Sequence, residues 1–181
     1  MYYFNMLLIN NLILKIMKKL FLFAVVAVFA INSTNAQGQL NASISGGIPT
    51  GDLADFTTFA IAVDLGYLFE LSEDFSLGPV LGFNTSFLDS DFDGDNISFL
   101  PIAASGRLNV SDDFTLGADI GYGVGISDGN DGGVYYSPSV LYGLTESLDL
   151  ILAYRAFREN NSTLGQITLG LVIVISAAME E

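Results

Sequence analysis

The sequence contains no cysteine, no histidine and no tryptophan, and only six of its 181 residues are lysine or arginine. Without cysteine there is no disulfide framework, no thiol nucleophile and no thiolate zinc site. Without histidine the chain lacks the commonest general base and the commonest metal ligand, which excludes triad hydrolases and histidine-ligated metalloenzymes. Twenty acidic residues give a net charge of −14, whereas nucleic-acid binding depends on lysine and arginine contacts to phosphates. We therefore expect neither an enzyme nor a nucleic-acid-binding protein.

The first 36 residues are predicted to be a secretory signal peptide. Two lysines follow Met17, an uncharged apolar stretch occupies 20–31, and small or polar residues lead to a cleavage site after Ala36. The alternative is a transmembrane anchor that begins upstream, but three lysines leave no uninterrupted span of about 18 apolar residues. Because residues 17–36 form a complete signal by themselves, Met17 is an alternative start.

The predicted mature domain, 37–181, keeps three arginines against all twenty acidic residues, a net charge of −17. Its longest aliphatic run, Leu169–Ile175, is interrupted by Gly170, so it contains no apolar stretch long enough for a transmembrane helix. If this domain lies in a membrane, it spans it with strands.

Apolar and small or polar residues alternate along the domain, which is typical of strands with two different faces. We predict eight strands, at Leu40–Ile48, Thr58–Glu70, Phe75–Phe87, Leu100–Val110, Phe114–Ile126, Val134–Leu144, Leu148–Phe157 and Leu164–Ser176. Pro79, Pro101 and Pro138 fall inside them, where each proline removes a ladder hydrogen bond or requires a bulge.

The connections between these strands alternate between two kinds. Short turns follow a recurring pattern that is seen at Leu71–Leu77, Val110–Leu116 and Leu144–Leu150. Longer acidic or glycine-rich loops lie between them, at 49–56, 88–96, 127–133 and 159–162. Short turns at one end and longer loops at the other indicate an all-β, antiparallel up-and-down barrel.

The distribution of large residues favours a transmembrane barrel over a soluble one. One face of each strand carries Phe, Tyr, Leu, Ile and Val, and the other carries mainly Gly, Ser, Ala and Asp. Large residues that face lipid leave a lumen for the small ones, whereas large residues inside would leave an outer wall of glycine and serine. Aromatic residues also fall near both ends of the strands, as in membrane barrels. The short-turn set is Tyr67, Phe69, Phe75, Phe114 and Tyr142; the long-loop set is Phe59, Phe87, Tyr122, Tyr136 and Tyr154.

Several segments resemble the outer-membrane β-barrel domain family, the small eight-stranded barrels similar to the OmpA transmembrane domain and OmpX. They are Gly47–Asp52, Asp64–Phe69, Ser76–Pro79 and Leu116–Tyr122. The resemblance implies a barrel in the outer membrane of a Gram-negative bacterium, in contact with its lipid. Members of such families include adhesion factors, structural anchors and narrow channels.

Few charged residues are predicted to face the lumen, namely Asp64, Arg107, Asp119, Asp149 and Arg155. If Val110 pairs with Phe114 across the intervening turn, Arg107 lies opposite Gly117 and diagonal to Asp119, within reach of a long side chain. We predict an Arg107–Asp119 ion pair, which Asp64 and Arg155 extend. Its role is structural, since isolated charges in a small lumen are costly, or it is a constriction for a small solute.

The loop Asp89–Asp95 contains the start of a calcium-loop pattern. Asp89, Asp91, Asp93 and Asp95 alternate around a glycine, as in D-x-D-x-D-G, which makes them a candidate calcium site. The glutamate that should follow is replaced by Leu100, so the alternative is a solvated acidic loop. No other cofactor is expected.

The function that these features favour is a structural or cell-surface interaction role through the four acidic or glycine-rich loops. A narrow passive channel for small solutes is the first alternative. The second is a soluble periplasmic barrel that binds an apolar ligand inside, as lipocalins do.

Overall fold

The computed structural model describes residues 38–52, 54–92, 94–159 and 162–176, and these form a closed eight-stranded barrel. Each strand pairs antiparallel with its neighbours in sequence, and β8 closes on β1. The strands are β1 Gly38–Gly51, β2 Thr57–Glu70, β3 Phe75–Leu88, β4 Ile97–Asn109, β5 Phe114–Gly125, β6 Gly133–Thr145, β7 Leu148–Glu159 and β8 Ser162–Ser176. A short 3-10 helix, Ala54–Phe56, lies between β1 and β2. The predicted all-β antiparallel barrel of eight strands is confirmed.

The predicted signal peptide lies outside the described residues. Among the residues that are described, no helix combines the length and the apolar character needed to cross a membrane.

The three short turns are built alike. In each, a backbone carbonyl of the turn accepts a hydrogen bond from the strand that follows the hairpin. The carbonyls of Asp74, Asp113 and Ser147 accept hydrogen bonds from the N–H groups of Asn109, Gly143 and Val174, at 2.8, 2.8 and 2.9 Å. In the first two turns a serine hydroxyl, of Ser72 or Ser111, also accepts from the N–H of the following phenylalanine. The sequence repeat therefore corresponds to a repeated hairpin.

Large apolar side chains form the outer wall of the barrel. Ile120, Leu65 and Leu169 are between 52 and 66% exposed, values that are unusual for such residues in a soluble core. Between the two rims, the outer wall of the described strands carries no charged side chain. The predicted assignment of the two faces is therefore the observed one.

Aromatic side chains pair near both rims. At the short-turn end Phe114 lies 5.0 Å from Tyr142, and at the long-loop end Tyr136 lies 6.3 Å from Tyr154, measured between ring centroids. Phe69 is predicted to be one of the outward-facing aromatic residues of the short-turn rim, but its side chain is only 8% exposed. Its ring packs edge-on against Tyr67.

At the long-loop end every strand except β5 extends beyond its predicted bounds. Residues 49–51 continue β1 and pair with β8, Ile97 rather than Leu100 begins β4, and only 160–161 separate β7 from β8. These segments lack apolar alternation, but backbone pairing continues without it because ladder hydrogen bonds do not depend on the side chains.

The three prolines do not shift the register of their strands. Pro79 lies opposite Ala104, Pro101 opposite Gly123 and Pro138 opposite Ala118, with the flanking pairs in step. The register shifts lie elsewhere, between Thr57 and Phe59 and between Gly143 and Thr145.

Candidate functional site

The lumen contains an ion pair between adjacent strands. Arg107 on β4 lies opposite Gly117 on β5, and its Nη1 donates a hydrogen bond to Oδ1 of Asp119 at 2.9 Å. Gly117 leaves room for this contact, because a Cβ there would lie 2.7 Å from Nη1 of Arg107. The turn at 111–113 sets the register of β4 and β5, and this register makes Arg107 and Asp119 diagonal neighbours, as predicted.

A second ion pair crosses the lumen from β7 to β2. Both terminal nitrogens of Arg155 donate to the carboxylate of Asp64, with Nη1 3.1 Å from Oδ1. The hydroxyl of Ser43 donates to the same carboxylate at 2.9 Å. Arg155 is 3% exposed, and such a bidentate geometry is the strongest that a guanidinium makes with a carboxylate.

The four charged residues form two separate pairs rather than one network. No hydrogen bond or ion pair of the described residues joins Arg107 and Asp119 to Asp64 and Arg155. The predicted extension of the first pair is therefore not made by a direct contact, although Asp119 also interacts electrostatically with Arg155. The reason is that Arg155 reaches its own carboxylate directly across the barrel, which strand-by-strand register did not reveal.

Above these pairs, toward the long loops, three fully buried polar side chains bridge β3 and β8. Asn84 and Gln166 exchange two amide hydrogen bonds of 2.8 and 2.9 Å, and Gln166 donates a third to Ser86 at 2.7 Å. Sequence reasoning missed this cluster. The only signal was the presence of amide residues on the lumen face of their strands.

An aromatic stack fills the lumen at the long-loop end. The rings of Phe99 and Phe157 lie 4.1 Å apart and nearly parallel, and Tyr135 packs on Phe157 at 5.0 Å. Leu164 completes a buried cluster with these rings. Gly123 is required beside the stack, since a Cβ there would lie 2.5 Å from Cδ1 of Phe157. These large side chains are exceptions to the predicted lumen of small residues and a few charges.

Toward the short turns the lumen contains a cavity of about 140 Å³ that extends to the rim. It runs from Glu70 and Asn109, at the ends of their strands, inward to Asp119 and Arg155. We call this cavity the vestibule. Because the aromatic stack and the amide cluster pack above it, the vestibule is closed on the long-loop side.

The candidate calcium loop contains an aspartate turn. Oδ1 of Asp89 accepts a hydrogen bond from the N–H of Asp91 at 3.0 Å, and Asn96 accepts one from the N–H of Leu88. Asp93 lies outside the described residues. Among the residues that are described, no three carboxylates come together as a metal site. Calcium binding by Asp89, Asp91, Asp93 and Asp95 stays a prediction.

The comparison with solved structures identifies the fold. The crystal structure of Ail, the attachment invasion locus protein of Yersinia pestis, aligns with 78% of this chain and 100% of its own, with 13% identity and a TM-score of 0.55. Ail in a phospholipid bilayer nanodisc aligns over 75% and 99%, with 14% identity and a TM-score of 0.51. A de novo designed transmembrane β-barrel aligns over 78% and 98%, with 18% identity and a TM-score of 0.51.

No protein-family profile matches the sequence, and no curated protein matches it. At these identities the structural likeness establishes the fold alone: the chain has the fold of the small outer-membrane β-barrels, as its resemblance to them implies.

Proposed function

We propose that the chain is an outer-membrane barrel of a Gram-negative bacterium and that it acts through its long loops as a surface interaction protein. Support for the membrane comes from the outer wall, which is apolar and uncharged between two rims that carry aromatic residues. Strands of 12 to 15 residues are long enough to cross the hydrocarbon core when tilted. Short turns then face the periplasm and long loops the exterior.

The packed lumen is the observation that favours surface interaction over passage of solutes. Phe99, Phe157 and Tyr135 stack where a pore would need open space, and the amide pair of Asn84 and Gln166 closes the level below. Conduction would require both layers to separate. The lipocalin-like alternative needs an apolar interior, whereas this lumen holds two ion pairs and the large apolar residues face outward.

The placement is tested by single cysteines, because the natural chain has none. Asp95→Cys in a long loop should react with a membrane-impermeant maleimide on intact cells. The matched variant Asp112→Cys, in a short turn, should react only after the outer membrane is permeabilised. After cell fractionation and a high-pH wash, the protein should remain in the outer-membrane fraction. Release into the soluble periplasm, or equal labelling of both cysteines on intact cells, would refute the proposal.

The closed lumen is tested by conductance in planar bilayers. The natural protein should give no stepwise conductance, and replacing Phe99, Tyr135 and Phe157 together by alanine should create it. Replacing Phe59 and Phe87, a stacked pair on the outer wall, is the matched control and should leave the bilayer closed. Regular conductance steps from the natural protein would favour the narrow channel instead.

A further inference from the structure

The lining of the vestibule carries a net negative charge, which suits the binding of a cation. Five carboxylates and two guanidiniums line it, so its formal charge is −3 after the two ion pairs are formed. Glu70 accepts a hydrogen bond from Gln39, but Asp149 has no hydrogen-bond or ion-pair partner among the described residues. An unpaired carboxylate facing a small cavity favours a cationic occupant.

The wall beside Asp149 is apolar. Leu141, Ile151 and Val172 form a buried cluster, and they and Val174 line the vestibule next to that carboxylate. A hydrated inorganic cation gains nothing from such a wall. A cation carried on an aliphatic chain places its methylene groups there and removes apolar surface from water.

Two polar oxygens on the vestibule lining lack hydrogen-bond donors. Ser105 is 1% exposed, lines the cavity, and its Oγ has no hydrogen-bond partner. Oδ1 of Asn41, also on the lining, is buried and unpartnered as well. Ser105 lies directly opposite Asp119 in the β4–β5 ladder. A second cationic group placed there would donate a hydrogen bond to the unpartnered Oγ of Ser105, beside the carboxylate of Asp119.

We propose that the vestibule binds a linear aliphatic diamine, with one ammonium at Asp149, the methylene chain along Leu141, Ile151 and Val172, and the other ammonium at Ser105. The site is a pocket and not a pore, since the amide cluster and the aromatic stack close it. The proposal concerns the lumen alone, so it holds whether or not the long loops act as a surface interaction site.

The test is titration of the isotope-labelled barrel in octyl glucoside micelles with 1,5-diaminopentane, followed by amide chemical shifts. Shifts are expected in β1, β4, β6 and β7 around the vestibule and not in the long loops. Pentane-1,5-diol, which has the same chain without charge, should give little effect, and n-pentylamine should bind more weakly than the diamine.

Two pairs of variants separate the site from general charge attraction. Asp149→Asn should weaken binding about tenfold, whereas Asp95→Asn, an equal change of charge in a long loop, should leave it unchanged. Ser105→Ala should weaken binding, whereas Ser45→Ala, which removes an unpartnered hydroxyl outside the vestibule lining, should not. Heat-modified electrophoretic mobility checks that each variant folds, and the comparison of Ser105→Ala with Ser45→Ala carries the test if Asp149→Asn does not fold.

Three results would overturn the proposal. One is the absence of shifts at the vestibule with millimolar diamine. Another is an equal loss of binding in Asp149→Asn and Asp95→Asn, which would show only screening of the net charge. The third is binding of the diol as tight as that of the diamine.

Discussion

The guanidinium of Arg155 on β7 binds the carboxylate of Asp64 on β2, three strands away around the barrel and 91 residues away in the sequence. The side chain of Arg155 is 3% exposed and that of Asp64 is 11% exposed. Because this pair joins two strands that share no ladder hydrogen bonds, it fixes their relative height in the barrel.

Asp64→Asn is expected to destabilise the barrel by about 3–5 kcal/mol, because it leaves a buried guanidinium without its counter-charge. The double variant Asp64→Asn with Arg155→Met should lose less than the single one, since it removes the unpaired charge. Urea unfolding in lipid vesicles measures both, with Asp55→Asn in an exposed segment as the control. A double variant less stable than Asp64→Asn would contradict this account.

Arg107 and Asp119 should show a coupling of about 1 kcal/mol in a double-mutant cycle. We expect this coupling to be smaller than that between Arg155 and Asp64, because the Arg107 side chain is 17% exposed and water screens it. The cycle uses Arg107→Met and Asp119→Asn, singly and together, in the same unfolding assay. Additive losses would show that the contact does not stabilise the barrel.

Gly121→Ala should cost about 1–3 kcal/mol, because its Cβ would overlap the carbonyl of Ile102 and Cα of Ala103, which are backbone atoms that cannot turn away. Gly66→Ala is the matched control on the same face of the barrel. There a Cβ would meet its nearest atoms at 3.6 Å, an ordinary contact. The change at Gly66 should stay within about 1 kcal/mol. Equal effects at the two glycines would argue against close strand packing at Gly121.

Gln166→Ala should destabilise the barrel by about 3 kcal/mol, because it breaks three buried hydrogen bonds and leaves Asn84 and Ser86 unsatisfied. Gln39→Ala removes the hydrogen bond of Gln39 to Glu70 at the exposed rim and should cost within about 0.5 kcal/mol. If urea unfolding gave the two variants equal midpoints and equal slopes, the amide cluster would not contribute to the stability of the barrel.

Much of the barrel follows from local patterns. Alternation places Val63 and Leu65 outward and Asp64 inward whatever the rest of the chain does, because successive residues of a strand point to opposite faces. The turn at 111–113 sets the β4–β5 register and with it the diagonal contact of Arg107 with Asp119. Both are consequences of neighbours in sequence.

The contacts inside the lumen, by contrast, do not follow from residues that are neighbours in the sequence. Phe99 and Phe157 are large residues on a face that carries mainly small or polar ones, and in the sequence they are among the exceptions to that pattern. Once the barrel closes, they lie 4.1 Å apart and seal one end of it. The same closure brings Asn84 to Gln166, which are 82 residues apart.

The sequence alone therefore determined the number of strands, the two faces and the contacts between adjacent strands, because the period of two and the short turns act over a few residues. The tertiary structure decided which side chains meet across the lumen, and hence that it is a blind vestibule rather than a pore. Those contacts depend on the stagger with which β8 closes on β1, which is a property of all eight strands together.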